Sequence, residues 1–218
     1  MSGHSHFATI KRQKGLKDAA KGNIFSKLSK AISIAIKSGG STNPDMNFKL
    51  RVAIDKAREF NMPKENIDRI LKSAEEKLDS IEEITYEGFG PFGIFVVVET
   101  ATDNKNRTAQ EIKTLFEKNG GAMGGPNSVL HNFEHKGFLL VENVEDPEDP
   151  LEVFVQPDQL SIEKKKIEEA GFTVIKSELT MVAKIYLEVT DDDQIEKLTN
   201  FIENFESHDD VQKVFHNF

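Results

Sequence analysis

Apolar residues first fall into a regular pattern near residue 25, where their spacing is that of amphipathic helices. Phe25, Leu28, Ile32 and Ile36 recur at steps of three or four residues, and Gly39-Gly40 ends the run. Two further stripes of the same kind follow, formed by Leu50, Ile54 and Ala57 and then by Ile67, Ile70, Leu71 and Ala74. The pattern therefore predicts a small bundle of helices in the first third of the chain.

The apolar period changes from 3.6 toward 2 at Ile84, which predicts strands. The segments "ITYEGFG" and "GIFVVVETAT" are joined by the turn residues Gly90–Gly93. A helix is expected from Arg107 to Lys118, followed by strands at Ser128–Phe133 and Gly137–Asn143. This part of the chain is thus expected to mix strands and helices.

An acidic connector, Glu145–Pro150, precedes a last series of elements. The pattern predicts strands at 151–156, 172–182, 184–189 and 211–216, with helices at 158–170 and 192–205. Strand-helix-strand-strand-helix-strand is the ferredoxin-like order, so local pattern alone assigns Leu151–His216 to one such domain.

Charge is segregated along the chain, although the formal net charge is only −9. Residues 1–78 contain 16 Lys+Arg and 8 Asp+Glu, a net charge of +8, and the remainder carries −17. Such asymmetry between parts of one chain indicates a polyanion-binding end. An ordinary fluctuation between solvated surfaces is the alternative.

Composition excludes several classes of protein. The absence of cysteine rules out disulfide frameworks, thiolate zinc sites and thiol nucleophiles. No apolar run approaches the ~18 residues of a membrane span, and no apolar core of a signal peptide is present near the N-terminus. We therefore expect a soluble, cytoplasmic protein with no membrane partner.

Motifs for catalysis are absent: the sequence has no HExxH pattern, Walker loop or GxSxG elbow. His4 and His6 offer only two imidazoles for a metal, and Asp191–Asp193 is better placed to cap a helix than to trap a cation. We expect a protein that is not an enzyme and has no metal, cofactor or small-molecule substrate. A hydrolase using the paired acids and a pure protein scaffold are the remaining alternatives.

A basic, apolar-poor stretch runs from Gly3 to Lys27, "GHSHFATIKRQKGLKDAAKGNIFSK". Ser2–Asn23 has too few large apolar groups to offset its ordering entropy, so a mobile arm is expected. Lysines that neutralise phosphates release counterions and give salt-sensitive affinity, and aromatic rings can stack on unpaired bases. On the first helix, Lys27, Lys30 and Lys37 are expected to point into water opposite the apolar stripe. Phe25 is expected to be core, whereas Phe7 lies outside any apolar period.

The polar stretch Thr100–Glu111 is a second candidate contact. Thr102 or Asp103 is expected to cap the following helix, whose amides with Lys105 and Arg107 could hold a phosphate. A plain loop is an equally good interpretation. The candidate residues here are Asp103, Asn104, Lys105, Asn106, Arg107 and Thr108.

Five blocks together resemble the YebC/PmpR family of probable transcriptional regulatory proteins, which includes a mitochondrial translational activator of cytochrome oxidase. In chain order they are "MSGHSHFATIKRQKGLKDAAKGNIFSK", "NMPKENIDRIL", "YEGFGPFG", "TDNKNRT" and "DDVQKVFHN". Combining the matched motif with the basic arm gives the candidate nucleic-acid-binding residues His4, Ser5, Phe7, Lys11, Arg12, Lys14, Lys17, Lys21, Lys27 and Lys30. Of these, His4, Ser5, Lys11, Lys14 and Lys21 stand at positions that match the family's motif.

The resemblance implies an α+β multidomain fold: a helical N-terminal bundle and two α+β domains, the third a ferredoxin-like insert in the second. On that basis the domains are 1–78, 79–132 with 184–218, and 133–183, which replaces the contiguous assignment of Leu151–His216. Two functions are implied, DNA-binding transcriptional regulation or, alternatively, binding of ribosomal RNA by a translation factor that relieves stalling at consecutive prolines.

The sequence departs from the family pattern at three places. His6-Phe7 stands where the family usually has Lys-Trp, and the residues at Arg12-Gln13 also differ from the family's. The insert is shorter by about one helix and one strand between Asn143 and Leu151, so an incomplete ferredoxin-like domain is expected.

Overall fold

The computed structural model describes residues 21–77, 81–146 and 149–218, which form an α+β fold. The helices of this part are α1 (Lys21–Gly39), α2 (Phe48–Glu59), α3 (Lys64–Lys77), α4 (Lys105–Lys118), α5 (Leu160–Glu169) and α6 (Asp192–Glu206). The strands are β1 (Glu82–Phe89), β2 (Phe95–Thr102), β3 (Ala122–Met123), β4 (Phe133–Val141), β5 (Leu151–Val155), β6 (Val174–Ala183) and β7 (Val211–His216).

The first three helices bury the predicted stripes against one another. Leu28, Ile32, Leu50 and Ile54 form the centre of this core, with Phe25 half-buried at its edge. The prediction of a helical bundle is confirmed. The expected mobile arm, Ser2–Asn23, overlaps α1 at Lys21–Asn23, because the helix begins earlier than the apolar period indicates. The rest of that arm lies outside the described residues.

The junction between α1 and α2 depends on Asn47. Its side chain accepts a hydrogen bond from the Leu50 amide at 3.1 Å and so caps α2. The same side chain donates to the carbonyls of Ala35 (2.8 Å) and Ser41 (2.9 Å). Gly40 ends the turn of α1 with φ of 65°, a conformation that glycine adopts without strain. One buried amide thus joins the end of α1 to the start of α2.

The first sheet has the strand order β3-β1-β2-β7. The antiparallel pairing of β1 with β2 places Tyr86 opposite Val98. On this sheet, α4 and α6 bring together Phe116, Phe201 and Phe205, whose ring centroids lie 4.6 to 5.9 Å apart. Asp191 caps α6 by accepting from the Gln194 amide at 2.9 Å, which confirms the capping interpretation of Asp191–Asp193.

The predicted strand at Ser128–Phe133 is wrong for all but its last residue. A turn and the 3-10 helix Leu130–Asn132 occupy this segment, and β4 begins at Phe133. The buried carboxylate of Glu87 accepts from the amides of Asn127 (2.6 Å), Val129 (2.9 Å) and Leu130 (2.7 Å). These amides are therefore not available for a strand ladder, and the apolar pattern instead reflects packing of Val129 in the core.

The second sheet is antiparallel with the order β5-β4-β6, and α5 connects β5 to β6. Three strands and one helix make a shortened ferredoxin-like unit, as the family resemblance implies. Local pattern alone was wrong in assigning Leu151–His216 to one domain, because β7 pairs with β2 of the first sheet.

A strand predicted at Lys184–Val189 is also wrong. This segment is irregular. The Lys184 amide donates to the Asn132 carbonyl at 2.8 Å, and the Leu187 amide donates to the Asn217 carbonyl at 2.7 Å. Ile185, at 73% exposure, lies outside the core that the alternating pattern predicted. Isolated bonds to two different segments leave no neighbouring strand with which to form a ladder.

The described chain divides into two compact units. One contains residues 131–188 with 216–218 and includes the second sheet, whereas the other contains the remaining described residues and includes α1–α3 and the first sheet. The three domain boundaries expected from the sequence stay a prediction. Within the described ranges, no helix combines the length and apolar character needed to cross a bilayer.

Replacing Asn47 with Ala should lower the free energy of unfolding by about 2 kcal/mol, because the α2 cap is lost and two carbonyls lose a donor. Urea denaturation followed by circular dichroism measures this. The control Asn200→Ala removes an exposed amide within α6 and should change stability by less than about 0.5 kcal/mol. Equal effects of the two substitutions would contradict the role given to Asn47.

Candidate nucleic-acid interface

Most of the predicted arm contacts lie outside the part of the chain that the structure describes. These are His4, Ser5, Phe7, Lys11, Arg12, Lys14 and Lys17. Lys21 is the first residue of α1, and the position of its side chain is not described. The structure therefore locates two complete side chains of this set, Lys27 and Lys30.

Lys27 and Lys30 both contact protein acceptors near the C-terminal end of α6. The ammonium group of Lys27 donates to the carbonyl of Glu206, the last residue of that helix. A cation is favourable there, since unsatisfied carbonyls give the helix C-terminus a partial negative charge. Lys30 donates to the Asp210 carboxylate and, at 3.2 Å, to the carbonyl of Asp209. The expectation that these two lysines point into water is therefore wrong.

The environment of Lys27 also changes its acidity. Burial lowers the pKa of the Lys27 ammonium from 10.5 to about 8, although the negative charges of Glu206 and Asp209 oppose this shift. Near neutral pH the group keeps its proton and donates to α6. Lys37, the third lysine of this helix, donates to the Ile81 carbonyl at 2.9 Å and remains exposed.

Asp210 is the residue on which the two predicted stretches converge. Its side chain is 3% exposed and forms an ion pair with Lys30 of α1. Arg107 Nη2 lies 2.9 Å from Oδ2 of the same carboxylate, and the Thr108 hydroxyl donates to Oδ2 at 2.6 Å. We call Lys30, Arg107, Thr108 and Asp210 the Asp210 cluster.

The donors of the Asp210 cluster determine the acidity of its carboxyl group. Burial alone would raise the pKa of Asp210, but hydrogen bonds from Lys30, Thr108 and Arg107 outweigh it and hold the pKa well below its usual range. The Asp210 carboxylate is therefore ionised at neutral pH. A buried charge of this kind is tolerated because each oxygen has charged or hydroxyl donors.

The loop before α4 positions the donors of this cluster. Asn104, rather than Thr102 or Asp103, caps α4 by accepting from the Arg107 amide at 3.1 Å. The Thr102 hydroxyl accepts from the Asn104 amide at 2.9 Å and lies 2.7 Å from the Thr108 hydroxyl. The cap prediction failed by one position because Thr102 orders the turn that precedes the cap.

The remaining residues of the second stretch are exposed and act locally. Asp103 lies 3.2 Å from Arg107, and Lys105 and Asn106 occupy the exposed first turn of α4. Arg107 is also near Glu111 (3.8 Å), so three carboxylates surround a guanidinium whose side chain is 45% exposed. Its hydrogen bond to Asp210 raises the pKa of Arg107. A phosphate that binds Arg107 would therefore either displace these carboxylates or share the guanidinium with them.

A histidine adjoins the Asp210 cluster. His208 Nδ1 accepts from the Asp210 amide at 3.1 Å, and Nε2 lies 3.0 Å from a Glu111 carboxylate oxygen. Glu111, His208 and Asp210 offer ligand atoms within 4.8 Å of one another, which by residue type is a possible metal set. The Asp210 oxygens accept from Lys30, Arg107 and Thr108, and His208 makes hydrogen bonds through both ring nitrogens, to the Asp210 amide and to Glu111. We therefore assign these three side chains to the stabilisation of the turn. Sequence reasoning missed Asp210, because an aspartate between a helix and a strand carries no local signal for a contact with α1.

Replacing Asp210 with Asn should lower the free energy of unfolding by about 3 kcal/mol at pH 7, since Lys30 and Arg107 lose their shared counter-charge. The folded-state pKa of Asp210 is depressed, so its contribution is complete above the ordinary value of about 3.9 and declines as pH falls below it. The difference in free energy of unfolding between wild type and Asp210→Asn should therefore become smaller below pH ~4. Chemical denaturation across pH 3–7 measures it.

The neighbouring substitution Asp209→Asn serves as a matched control for that experiment. Asp209 is exposed, and Lys30 contacts its backbone carbonyl. We expect a loss below about 1 kcal/mol, as for exposed charges in general. A loss equal to that of Asp210→Asn would refute the assignment of the effect to the buried carboxylate.

A second pH dependence should come from Lys27. Between pH ~8 and 10.5 the unfolded chain binds a proton that folded Lys27 has released, so this group makes the free energy of unfolding rise with pH in that window. Lys27→Met removes this contribution. The free energy of unfolding of wild type minus that of Lys27→Met should therefore be larger at pH 10 than at pH 7.5. An equal difference at the two pH values would contradict this prediction.

Comparison with known proteins places these residues in a family. The model of the TACO1/YebC protein N-terminal domain matches residues 5–77, and that of the TACO1/YebC second and third domain matches residues 81–155 and 140–218. A crystal structure of a conserved hypothetical protein, Aq1575 from Aquifex aeolicus, superposes with a TM-score of 0.81 at 33% identity, covering 93% of this chain and 91% of that one.

Two bacterial relatives match along the whole chain. The "Probable transcriptional regulatory protein" of Dictyoglomus turgidum is 41% identical over 240 residues, covering 100% of this chain and 96% of the relative. The "Probable transcriptional regulatory protein YrbC" of Bacillus subtilis is 42% identical over 241 residues, covering 100% and 99%. The resemblance seen in the sequence is confirmed, and the chain belongs to the TACO1/YebC family.

Proposed function

We propose that this protein is a cytoplasmic, non-enzymatic regulator of gene expression that binds nucleic acid, and specifically a DNA-binding transcriptional regulatory protein. One observation carries the proposal: the +8 charge of residues 1–78, against −17 for the remainder. The names of the bacterial relatives support it, since they are described as probable transcriptional regulatory proteins.

The attachment of α1 supports a role for the basic segment that precedes it. Lys27 and Lys30 hold α1 to the end of α6 and to Asp210, so the basic segment is joined to a helix whose position is fixed. Lys11, Lys14 and Lys21 then supply the affinity, through neutralised phosphates and released counterions. In this scheme Lys27 and Lys30 position the helix, and they reach phosphate only by exchanging their protein acceptors.

The first turn of α4 supplies a second, smaller contact. Lys105 and Asn106 are exposed there, and they directly precede Arg107, which belongs to the Asp210 cluster. Amides at a helix N-terminus favour anions. Asp103 opposes this contact by its charge, so we assign it less of the affinity than the arm.

RNA is the alternative ligand, in a translation factor that binds the ribosome and relieves stalling at consecutive prolines. The residue types of the arm suit RNA at least as well as promoter DNA: lysines recognise phosphates and carry no base information, whereas reading promoter DNA requires side chains aimed at base edges. The same arm can therefore bind structured RNA as well as duplex DNA.

The test is a variant in which Lys11, Lys14 and Lys21 are all changed to Glu. Titration against labelled duplex DNA and a structured ribosomal RNA fragment, each at several salt concentrations, should show weaker binding and a shallower salt dependence, because fewer phosphates are neutralised. The ligand that wild type binds more tightly at physiological salt identifies the physiological class. Crosslinking in cells followed by sequencing of the attached nucleic acid provides the independent readout.

A matched control changes Lys164, Lys165 and Lys166 of α5 to Glu. It alters the net charge by the same amount at three consecutive lysines of the other compact unit, none of them buried. Affinity should change little in this variant. Equal losses in both variants would attribute binding to overall charge, and no loss in the arm variant would reject the proposal.

A further inference from the structure

The start of α2 presents large apolar side chains to solvent. Met46 is 78% exposed and Phe48 67%, and Val52 follows one helical turn after Phe48 on the same face. The opposite face carries Leu50, Ile54 and Ala57, which are buried. We call Met46, Phe48 and Val52 the apolar ridge. It is additional to the core-facing stripe that the helical period predicts.

The orientation of the ridge is fixed by the cap of the helix. Asn47 binds the Leu50 amide and the carbonyls of Ala35 and Ser41, which sets where α2 begins and which face turns inward. Phe48 is the first residue of the helix and is therefore held pointing outward on a rigid element. A ring positioned in this way loses little conformational freedom when a ligand stacks on it.

Cations border the ridge on both sides. At 100° per residue, Lys49 and Arg51 project on opposite flanks of the line from Phe48 to Val52, and both are exposed. Arg51 is steadied by a hydrogen bond from Nε to the Pro44 carbonyl at 3.3 Å. Carboxylates lie at both ends of the ridge: the exposed Asp45 directly precedes Met46, and Asp55, one turn after Val52 on the same face, lies 3.2 Å from Arg58. Between them, the first two turns of α2, residues 48–54, combine an aromatic surface with two positive charges and contain no carboxylate.

This combination matches one class of ligand. An unpaired strand of nucleic acid offers flat bases to stack on Phe48 and phosphates within reach of Lys49 and Arg51. An apolar protein partner would cover the ridge but would leave the two cations without counter-charges, and a base-paired duplex hides the faces of its bases inside the stack. The surrounding residues, 21–77, carry 12 Lys+Arg and 7 Asp+Glu, so the local charge also favours a polyanion.

We propose that the apolar ridge is a stacking site for unpaired bases of a single-stranded nucleic acid, with Phe48 as the platform and Lys49 and Arg51 as phosphate contacts. This inference rests on the proposed function, which it deepens by naming the form of nucleic acid recognised. It also gives the protein a contact that is less sensitive to salt than the lysine-rich arm, because stacking does not depend on counterion release.

The experiment compares Phe48→Ala with wild type, using a 12-nucleotide single-stranded RNA, the same sequence as single-stranded DNA, and the corresponding duplexes. Fluorescence anisotropy measures affinity, and 2-aminopurine in the single strands reports stacking. Phe48→Ala should weaken single-strand binding about 5- to 150-fold, the range for loss of one stacked base, and should abolish the change in 2-aminopurine emission. Duplex affinity should change less than about twofold. Phe48→Trp should retain binding.

The control Phe60→Ala removes an aromatic ring from the other end of α2, where Phe60 is the C-cap and is also partly exposed. It should leave single-strand affinity unchanged. Circular dichroism establishes that both alanine variants remain folded, and Phe48→Trp keeps the test valid if Phe48→Ala does not fold.

The outcomes separate this inference from the proposed function. Loss of single-strand binding with retained duplex binding supports the stacking site, and preference for RNA or DNA identifies its source. Unchanged single-strand affinity in Phe48→Ala, with weaker binding in the Lys11/Lys14/Lys21 variant, overturns the stacking site and leaves the proposed function intact. Equal weakening for single strands and duplexes also overturns it. If wild type binds none of the probes, both proposals fail.

Discussion

The buried carboxylate of Asp210 draws together three segments that are far apart in the sequence: α1, the start of α4 and the turn before β7. Lys30, Arg107 and Thr108 all donate to it, and the Ala101 amide donates to its backbone carbonyl at 2.7 Å. An ionised group that is 3% exposed is stable only with such partners. Each donor is therefore constrained by the others, and a shift of α1 would remove the Lys30 counter-charge from Asp210 in the turn before β7.

This constraint gives the cations of the molecule two kinds of role. Lys27 and Lys30 are held by acceptors within the protein, so their hydrogen bonds connect α1 to the end of α6 and to Asp210. In the proposed function, the lysines that precede α1 supply the affinity for phosphate. A helix with a fixed end allows a basic segment to reach a ligand without requiring that the helix itself be ordered on binding, which reduces the entropy lost in the complex.

The proposed contacts would also differ in what they recognise. Lysines in the arm respond to phosphate density and weaken as salt rises, whereas the Phe48 ring would respond to whether bases are unpaired. Neither contact reads base sequence. Together they would select the form of a nucleic acid, and a regulator built in this way would obtain its choice of target from strand structure or from a further partner.

Local sequence predicted the elements that depend on interactions between residues close together in the chain. The stripes of α1, α2 and α3 repeat with the helical period, and Asp191 precedes α6 as a cap, so these were predictable from neighbouring residues. Family resemblance supplied the insert, which local pattern had merged with β7. The helix predicted at Arg107–Lys118 was also present, although it begins at Lys105 and its cap proved to be Asn104.

Tertiary structure decided what the local pattern could not contain. The amides of Asn127, Val129 and Leu130 bind Glu87 about forty residues earlier, so an apolar segment became a turn rather than a strand. Lys30 meets Asp210 at a separation of 180 residues, and a helical wheel shows only that Lys30 faces away from the bundle core, with no indication of what lies there. Periodicity records which face of an element is apolar. The choice of sheet for β7 and the partner of each buried charge depend on which distant segments pack together, because those contacts are made between elements after each has formed.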